Sequence, residues 1–266
     1  MMGILNLTPD SFYDGGRFLD PERAAEQARR LVQDGADILD LGAESTRPGA
    51  KPVSESEELN RLLPVLDRLK SEIQIPISID TTKSAVARRA LEYGAHIIND
   101  VSGLRHDPEL ARVASEFGAG LVLMHRRGTP ETMQLATDYH DLMEEVGREL
   151  SESVELAESH GVSSDQIVLD PGIGFSKTSE QSLEMLERLN ELKRLGRPIL
   201  VGPSRKSFIG AVTQKAPDKR LFGTVAACVL AFERGANLFR VHDVWAVREA
   251  ISVAQAILQS SKRISL

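Results

Sequence analysis

The sequence predicts an α/β protein, a closed (β/α)8 TIM barrel, and three observations carry the prediction. Eight short apolar runs, at 3–5, 37–41, 76–79, 96–98, 120–124, 166–169, 198–201 and 236–239, are separated by amphipathic stretches of helical length. Each run ends in polar residues, and in such a barrel the C-terminal strand ends and the loops after them share one mouth, where the chemistry sits. The 266 residues suit a single domain, 1–266, rather than two.

Strand by strand, the polar ends are Asn6, then Glu44-Ser45-Thr46-Arg47, Asp80, Asn99-Asp100, His125, Asp170, Ser204-Arg205-Lys206, and Arg240 with His242 and Asp243. The helices between them fall at 21–34, 54–73, 83–93, 108–117, 142–159, 182–194, 223–234 and 246–258. The first has Asp20 as N-cap, Pro21 at its first position and Gly35 beyond its end. The second has Ser54 and Glu57 at capping-box spacing and an apolar stripe of Leu59, Leu62, Leu63, Leu66 and Leu69. The phrases DGAD, YGAH, FGAG and RGAN recur at helix-to-strand junctions, each with a Gly stopping the helix. Three connections are long, 8–20, 43–53 and 126–141, and long loops at one mouth cover or bind something.

Composition narrows the function. Hydrophobic content of 41% against 27% charged residues fits a soluble chain able to bury a large core. A net charge of -7 argues against a general nucleic-acid or anionic-membrane surface, so an anionic substrate has to be met by local cations. No basic segment precedes a long apolar one and no run reaches membrane-spanning length, which leads us to expect a cytoplasmic protein. The single cysteine, Cys228, excludes an intrachain disulfide and reads as a buried structural thiol. GIGFSKT at 172–178 has Ser176 where a phosphate loop needs Gly, there is no His-Glu-x-x-His pair for zinc, and Ser204 lies in no nucleophile elbow.

Two clusters at the mouth carry chemistry. Asp80, Asp170, Asn99 and Lys206 combine acceptors and donors that suit a flat heterocycle with an amidine edge: a carboxylate accepts two parallel N–H bonds while the lysine donates to a carbonyl oxygen or ring nitrogen. The plainer alternative is that each Asp caps the helix after it. Asn6, Arg47, Arg240 and His242, on the neighbouring strands one, two and eight, are shaped for a pyrophosphate bridged by Mg2+ at Asn6. Here the alternative is a structural network in which Arg240 and His242 pair with Asp243 or Glu44.

In order along the chain, MGILNLTPDSFYDGG, DLGAESTRPGA, SIDTTKS, IINDVSG, LVLMHRRG, VLDPGIGFSKT, GPSRKSFIG and FRVHDV resemble the successive signatures of the dihydropteroate synthase family, from the first residues to about Val244. The resemblance implies a (β/α)8 barrel that joins 7,8-dihydropterin-6-ylmethyl diphosphate to p-aminobenzoate, using Mg2+ and assembled as a homodimer. By matching position it implies that Asp80, Asn99, Asp170 and Lys206 hold the pterin, with Met124, Gly202 and Phe175 lining the pocket and Arg240 packing on the ring while reaching the phosphates. Asn6, Arg47 and His242 would hold the diphosphate, with the metal on Asn6. Thr46, Arg47, Pro48, Phe12, Phe175, Ser204 and Lys206 would shape the p-aminobenzoate site, and loops 8–17 and 44–51 would close over it. Diphosphate departure ahead of amine attack would leave a cation-like pterin methylene, with Asp14 as the candidate to stabilise it beside the catalytic set Lys206, Asp80, Asp170 and Arg240. Sulfonamides compete for the p-aminobenzoate pocket in this family, and the second loop carries no insertion here.

Two relatives of that activity bear weighing. Pterin-dependent methyltransferases share the barrel and the carboxylates, but SRKS, ESTRPG and the diphosphate cluster are not expected together there. A non-catalytic paralogue would lose loop or phosphate residues, and all are present. The departures from the family pattern are Ser176 and Pro203 beside the pocket, and a first strand that begins without the usual leader, which bears on the barrel floor rather than on chemistry.

Overall fold

The structure, a computed structural model, describes residues 1–8, 13–14, 18–47 and 49–263, with the backbone alone at 13–14, 18–19 and 261–263. Eight parallel strands are present: β1 (Met2–Asn6), β2 (Ile38–Gly42), β3 (Ile77–Asp80), β4 (Ile97–Asp100), β5 (Gly120–Met124), β6 (Ile167–Asp170), β7 (Leu200–Val201) and β8 (Leu238–Val241). Their order is β6-β5-β4-β3-β2-β1-β8-β7. A bridge between Leu169 and Ile199 joins the two edges, so the sheet closes into the expected barrel. β1 is paired from its first residue, Met2 lying opposite both Ile38 and Arg240. A short antiparallel pair, Tyr13–Asp14 with Phe18–Leu19, lies in the first long connection.

The helices are α1 (Pro21–Gln33), α2 (Glu55–Leu69), α3 (Ser84–Glu92), α4 (Glu109–Phe117), α5 (Leu142–Ser159), α6 (Ser179–Glu187), α7 (Ser207–Thr213), α8 (Leu221–Glu233) and α9 (Val244–Arg263). Asp20 caps α1 by accepting the N–H groups of Glu22 and Arg23 at 3.0 and 3.2 Å. The expected capping box at α2 forms by half. Ser54 Oγ accepts the Glu57 N–H at 3.2 Å, but the Glu57 carboxylate turns to Arg61, and the helix ends at Leu69 rather than at 73. α6 corrects the sequence reading most. It starts at Ser179 because Thr178 and Gln181 form a complete capping box, and after Glu187 the chain tightens into a 3-10 segment, Leu189–Leu195. The short helix α7 after β7 was not expected.

Side chains alternate between the two faces of a barrel strand. Leu39, Leu41, Ile77, Ile79, Ile98, Leu121, Leu123 and Leu169 belong to the large core between strands and helices. Met2, Val122 and Leu200, with Ile38, Ile97, Val168 and Leu238, form a separate cluster, the apolar plug inside the barrel. Two residues further along those strands, on the same inner face, come Asp40, Asn99, Met124, Asp170, Gly202 and Arg240. The polar layer at the mouth therefore rests on an apolar floor.

Candidate active site

Three strands converge on one arginine. Arg240 on β8 donates through Nε to Asp40 Oδ2 on β2 at 2.6 Å and through Nη2 to Asp80 Oδ2 on β3 at 2.8 Å. Asp40 is fully buried and also accepts from Ser78 Oγ at 2.6 Å and Asn99 Nδ2 at 3.2 Å. It is thus the hub that orients both Arg240 and Asn99, although the sequence reading passed it over. Asp80 keeps its other oxygen, Oδ1, buried and without a partner among the described residues. Burial, opposed by Arg240 and reinforced by Asp40, Glu58 and Asp100, raises its pKa to about 7. An orphaned carboxylate oxygen at the base of the mouth is costly unless a ligand donor meets it.

Asp170 ends β6 and accepts the Gly172 N–H through Oδ1 at 2.8 Å; burial raises its pKa too, against the pull of Lys206. Helix capping therefore describes neither Asp: Asp170 holds only its own turn, Thr178 caps α6, and the α3 N-terminus is held by Asp107, which accepts the Ser84 N–H at 2.8 Å. Lys206 Nζ donates to the Ile173 carbonyl and lies 4.2 Å from the centre of the half-buried Phe175 ring. Burial lowers its pKa to about 8. Met124 is buried at the end of β5, and Gly202 faces Arg240, whose Cβ a side chain at 202 would meet at 3.8 Å. The residues expected around the heterocycle are brought together.

The anion-shaped cluster forms on the other side of Arg240. His242 Nδ1 lies 2.9 Å from Ser204 Oγ, which also accepts the His242 backbone N–H at 3.2 Å. Ser204 Oγ can donate to Nδ1 or accept from it, so the direction of this bond follows the ring tautomer. Burial, then the charges of Arg205, Arg240 and Arg47, lower the His242 pKa to about 4, so the ring is neutral at pH 7. Asn6 Oδ1 and Asp80 flank Gly42, where an added Cβ would stand 3.7 Å from the former and 3.5 Å from the latter's Cβ. The structural alternative for this cluster does not form: Asp243 pairs with Arg205 at 2.6 Å, and Glu44 pairs with Lys83.

Of the residues expected around the second substrate, Thr46 lines a cavity of about 180 Å³ between the loops after β2 and β5. Arg126 reaches the same cavity, buried, with Nε and Nη1 unpaired among the described residues; no sequence signal beyond its place after β5 marked it. Arg47 is exposed. Phe12, Pro48 and the side chain of Asp14 lie outside the described residues. GIGFSKT is no phosphate loop, for Lys177 turns inward to His125. Cys228 is buried, and that burial pushes its thiol up to about 12, as befits a structural residue. No group of three or more His, Cys, Asp or Glu residues that could hold a metal occurs among the described residues.

A closed barrel whose inner polar layer presents paired carboxylates, an amide and a lysine above an apolar plug defines a pterin-binding enzyme, and the chain belongs to that family, whose model, "Pterin binding enzyme", matches residues 2–242. Within it the chain belongs with the dihydropteroate synthases. The dihydropteroate synthase of Synechocystis sp. is 53% identical to it over 97% of this chain and 89% of its own length. The crystal structure of dihydropteroate synthase from Clostridium difficile in the presence of pteroic acid superposes with a TM-score of 0.91 at 49% identity, covering 96% of this chain and 95% of that one. That of the Xanthomonas albilineans enzyme with 4-aminobenzoic acid gives 0.90 at 44% identity, covering 97% and 92%.

Proposed function

We propose that this chain condenses 7,8-dihydropterin-6-ylmethyl diphosphate with p-aminobenzoate to give 7,8-dihydropteroate and pyrophosphate. The observation that carries the reading is the unpaired, buried Oδ1 of Asp80 at the same mouth as Asp170, Asn99 and Lys206. The C–O bond from the pterin methylene to the diphosphate breaks, the amine nitrogen of p-aminobenzoate bonds to that carbon, and the nitrogen loses a proton. Asp80 and Asp170 accept from the pterin's N–H groups, Lys206 donates to its acceptor side, and Arg240 ties the carboxylates to the phosphate side. Neutral His242 and Arg47 stabilise the departing diphosphate. Thr46, Ser204 and Phe175 border the second substrate, with Phe12, Pro48 and Asp14 taking the roles that the resemblance implies.

Mg2+ fits the donor set present. A single neutral amide oxygen, on Asn6, is a sparse protein contribution of the kind a hard cation accepts when substrate phosphates and waters complete its shell. Bound there, the ion would neutralise charge on the leaving oxygen. A homodimer is supported by Phe222, Leu230, Trp245 and Val253, large apolar residues of α8 and α9 that stand exposed. No helix among the described residues is long and apolar enough to cross a membrane, and a cytoplasmic location is the reading we adopt. Sulfonamides, which present an aryl amine with a sulfonyl group in place of the carboxylate, should compete with p-aminobenzoate.

The deciding experiment is pyrophosphate release with the pterin diphosphate, with and without p-aminobenzoate and with and without excess chelator. Release that needs all three components supports the reading. No release with both substrates and Mg2+ present would refute it.

A further inference from the structure

Behind the pocket, outside the barrel wall, lies a buried charged chain that the reaction as described does not use. Lys177 and His125 are 2% and 0% exposed. As an ammonium, Lys177 Nζ matches three protons to three acceptors: the carbonyls of Gly172 at 3.2 Å and Phe175 at 3.1 Å, and His125 Nδ1 at 2.9 Å. His125 then carries its own proton on Nε2, which faces Glu149 Oε2 at 3.1 Å. Glu149 is held in turn by Arg127, whose guanidinium lies 4.0 Å from the Tyr139 ring centre. Asp170 and Lys206 are the charged groups facing Lys177 from the pocket side, and Glu149 and Arg127 those facing it from behind.

The two carbonyls that Lys177 ties down bracket residues 172–175. That turn requires glycine at its first position: Gly172 has φ +69°, and a Cβ there would stand 2.0 Å from the His125 carbonyl oxygen. From it project the Ile173 carbonyl that accepts from Lys206 Nζ and the Phe175 ring beneath the same ammonium. We propose that Lys177 is the positioning residue for Lys206: its buried three-way hydrogen bonding locks the turn that supplies both contacts fixing the Lys206 ammonium at the pterin site. A buried ammonium is costly to keep unless each of its protons is met, and burial does push Lys177 down to about 7. A lysine needed for packing alone would be replaced with profit by an apolar side chain. This one holds a backbone turn that an apolar side chain cannot hold.

The inference rests on the pterin reading, and two measurements keep the two apart. In the first, 6-hydroxymethylpterin is titrated calorimetrically into the wild type, Lys177→Met, Lys206→Ala and the double variant. Leu192→Ala serves as a control that lowers stability from a buried position away from the turn. Lys177→Met should weaken binding at least fivefold in the Lys206 background and less than twofold once Lys206 is gone, because a residue acting through another shows a non-additive cycle. Leu192→Ala should lower Tm and leave affinity unchanged. Multiplying losses in the double variant, or affinity within twofold of wild type in folded Lys177→Met, would overturn the proposal. If Lys177→Met does not fold, His125→Leu, which removes one of the three acceptors, should show a smaller loss that vanishes in the same way. The second measurement needs no ligand. Burial lowers the Lys206 pKa to about 8, and its NMR-observed midpoint should rise in His125→Leu, which loosens the turn and keeps the Lys177 charge in place, as the ammonium gains water; an unmoved midpoint would overturn the proposal whatever the pterin does. Failure of the wild type to bind the pterin counts against the pterin reading alone.

Discussion

Asp170 spends one oxygen on its own turn, at 2.8 Å from the Gly172 N–H, and the other has no hydrogen-bond partner among the described residues. In Asp170→Asn the amide can keep the turn contact, but it then presents N–H groups to the N–H edge of the pterin. Such a mismatch costs about 1–3 kcal/mol, so pterin affinity should fall about tenfold or more in a folded protein; calorimetry showing the wild-type affinity would remove Asp170 from the pocket. The paired titrations of Asp80 and Lys206 set a second expectation. Asp80, raised to about 7, accepts from the ligand only when ionised, so binding improves as pH rises through that value. Lys206, lowered to about 8, donates a charge only when protonated, so binding weakens above it. The pH profile of kcat/KM should therefore be a narrow bell with limbs near 7 and 8, and Asp80→Asn should lose the acid limb; a flat profile across both values would contradict these assignments. Asp40 shows where reading strand ends fell short. It sits two residues before Gly42, on the inward face, and period-2 counting back from the strand end would have found it.

The strands and helices were legible because each rests on a local signal, an apolar run or a 3.6-residue stripe. Errors occurred where two local signals competed. At α6 the expected start was 182, but Thr178 and Gln181 satisfy the first free N–H groups reciprocally, and the capping box sets the start at Ser179. Thr178→Ala should cost about 1 kcal/mol, a drop in Tm of about 2–4 °C for a chain of this size, with pterin affinity unchanged. A shift in affinity would mean that the helix start is coupled to the 172–175 turn. At α2 the Ser54 and Glu57 spacing predicted a reciprocal box, but Arg61, one turn on, offered Glu57 a charged partner and took it. Competition between side chains of one helix face cannot be judged from spacing alone.

At the scale of the molecule, the pocket proposed for the second substrate would draw on Thr46 after β2 and on Ser204 and Lys206 after β7, elements distant in the chain. Loops that assemble around a bound ligand couple the two binding events. p-Aminobenzoate should therefore bind the free protein poorly and at least tenfold more tightly once pterin and pyrophosphate are present; equal affinities by calorimetry would show the pocket to be preformed. The sequence by itself determined the barrel, the strand that carries each polar residue and the ordered motifs of the family, because periodicity and strand-end chemistry are properties of short segments. Only the tertiary structure decided which charges meet. Asp40 lies 200 residues from Arg240 in the chain and 2.6 Å from it in space, and Lys177 reaches His125 across 52 residues at 2.9 Å. Closing the barrel brings those distant inner and outer faces together, and burial there sets both the partners and the pKa values.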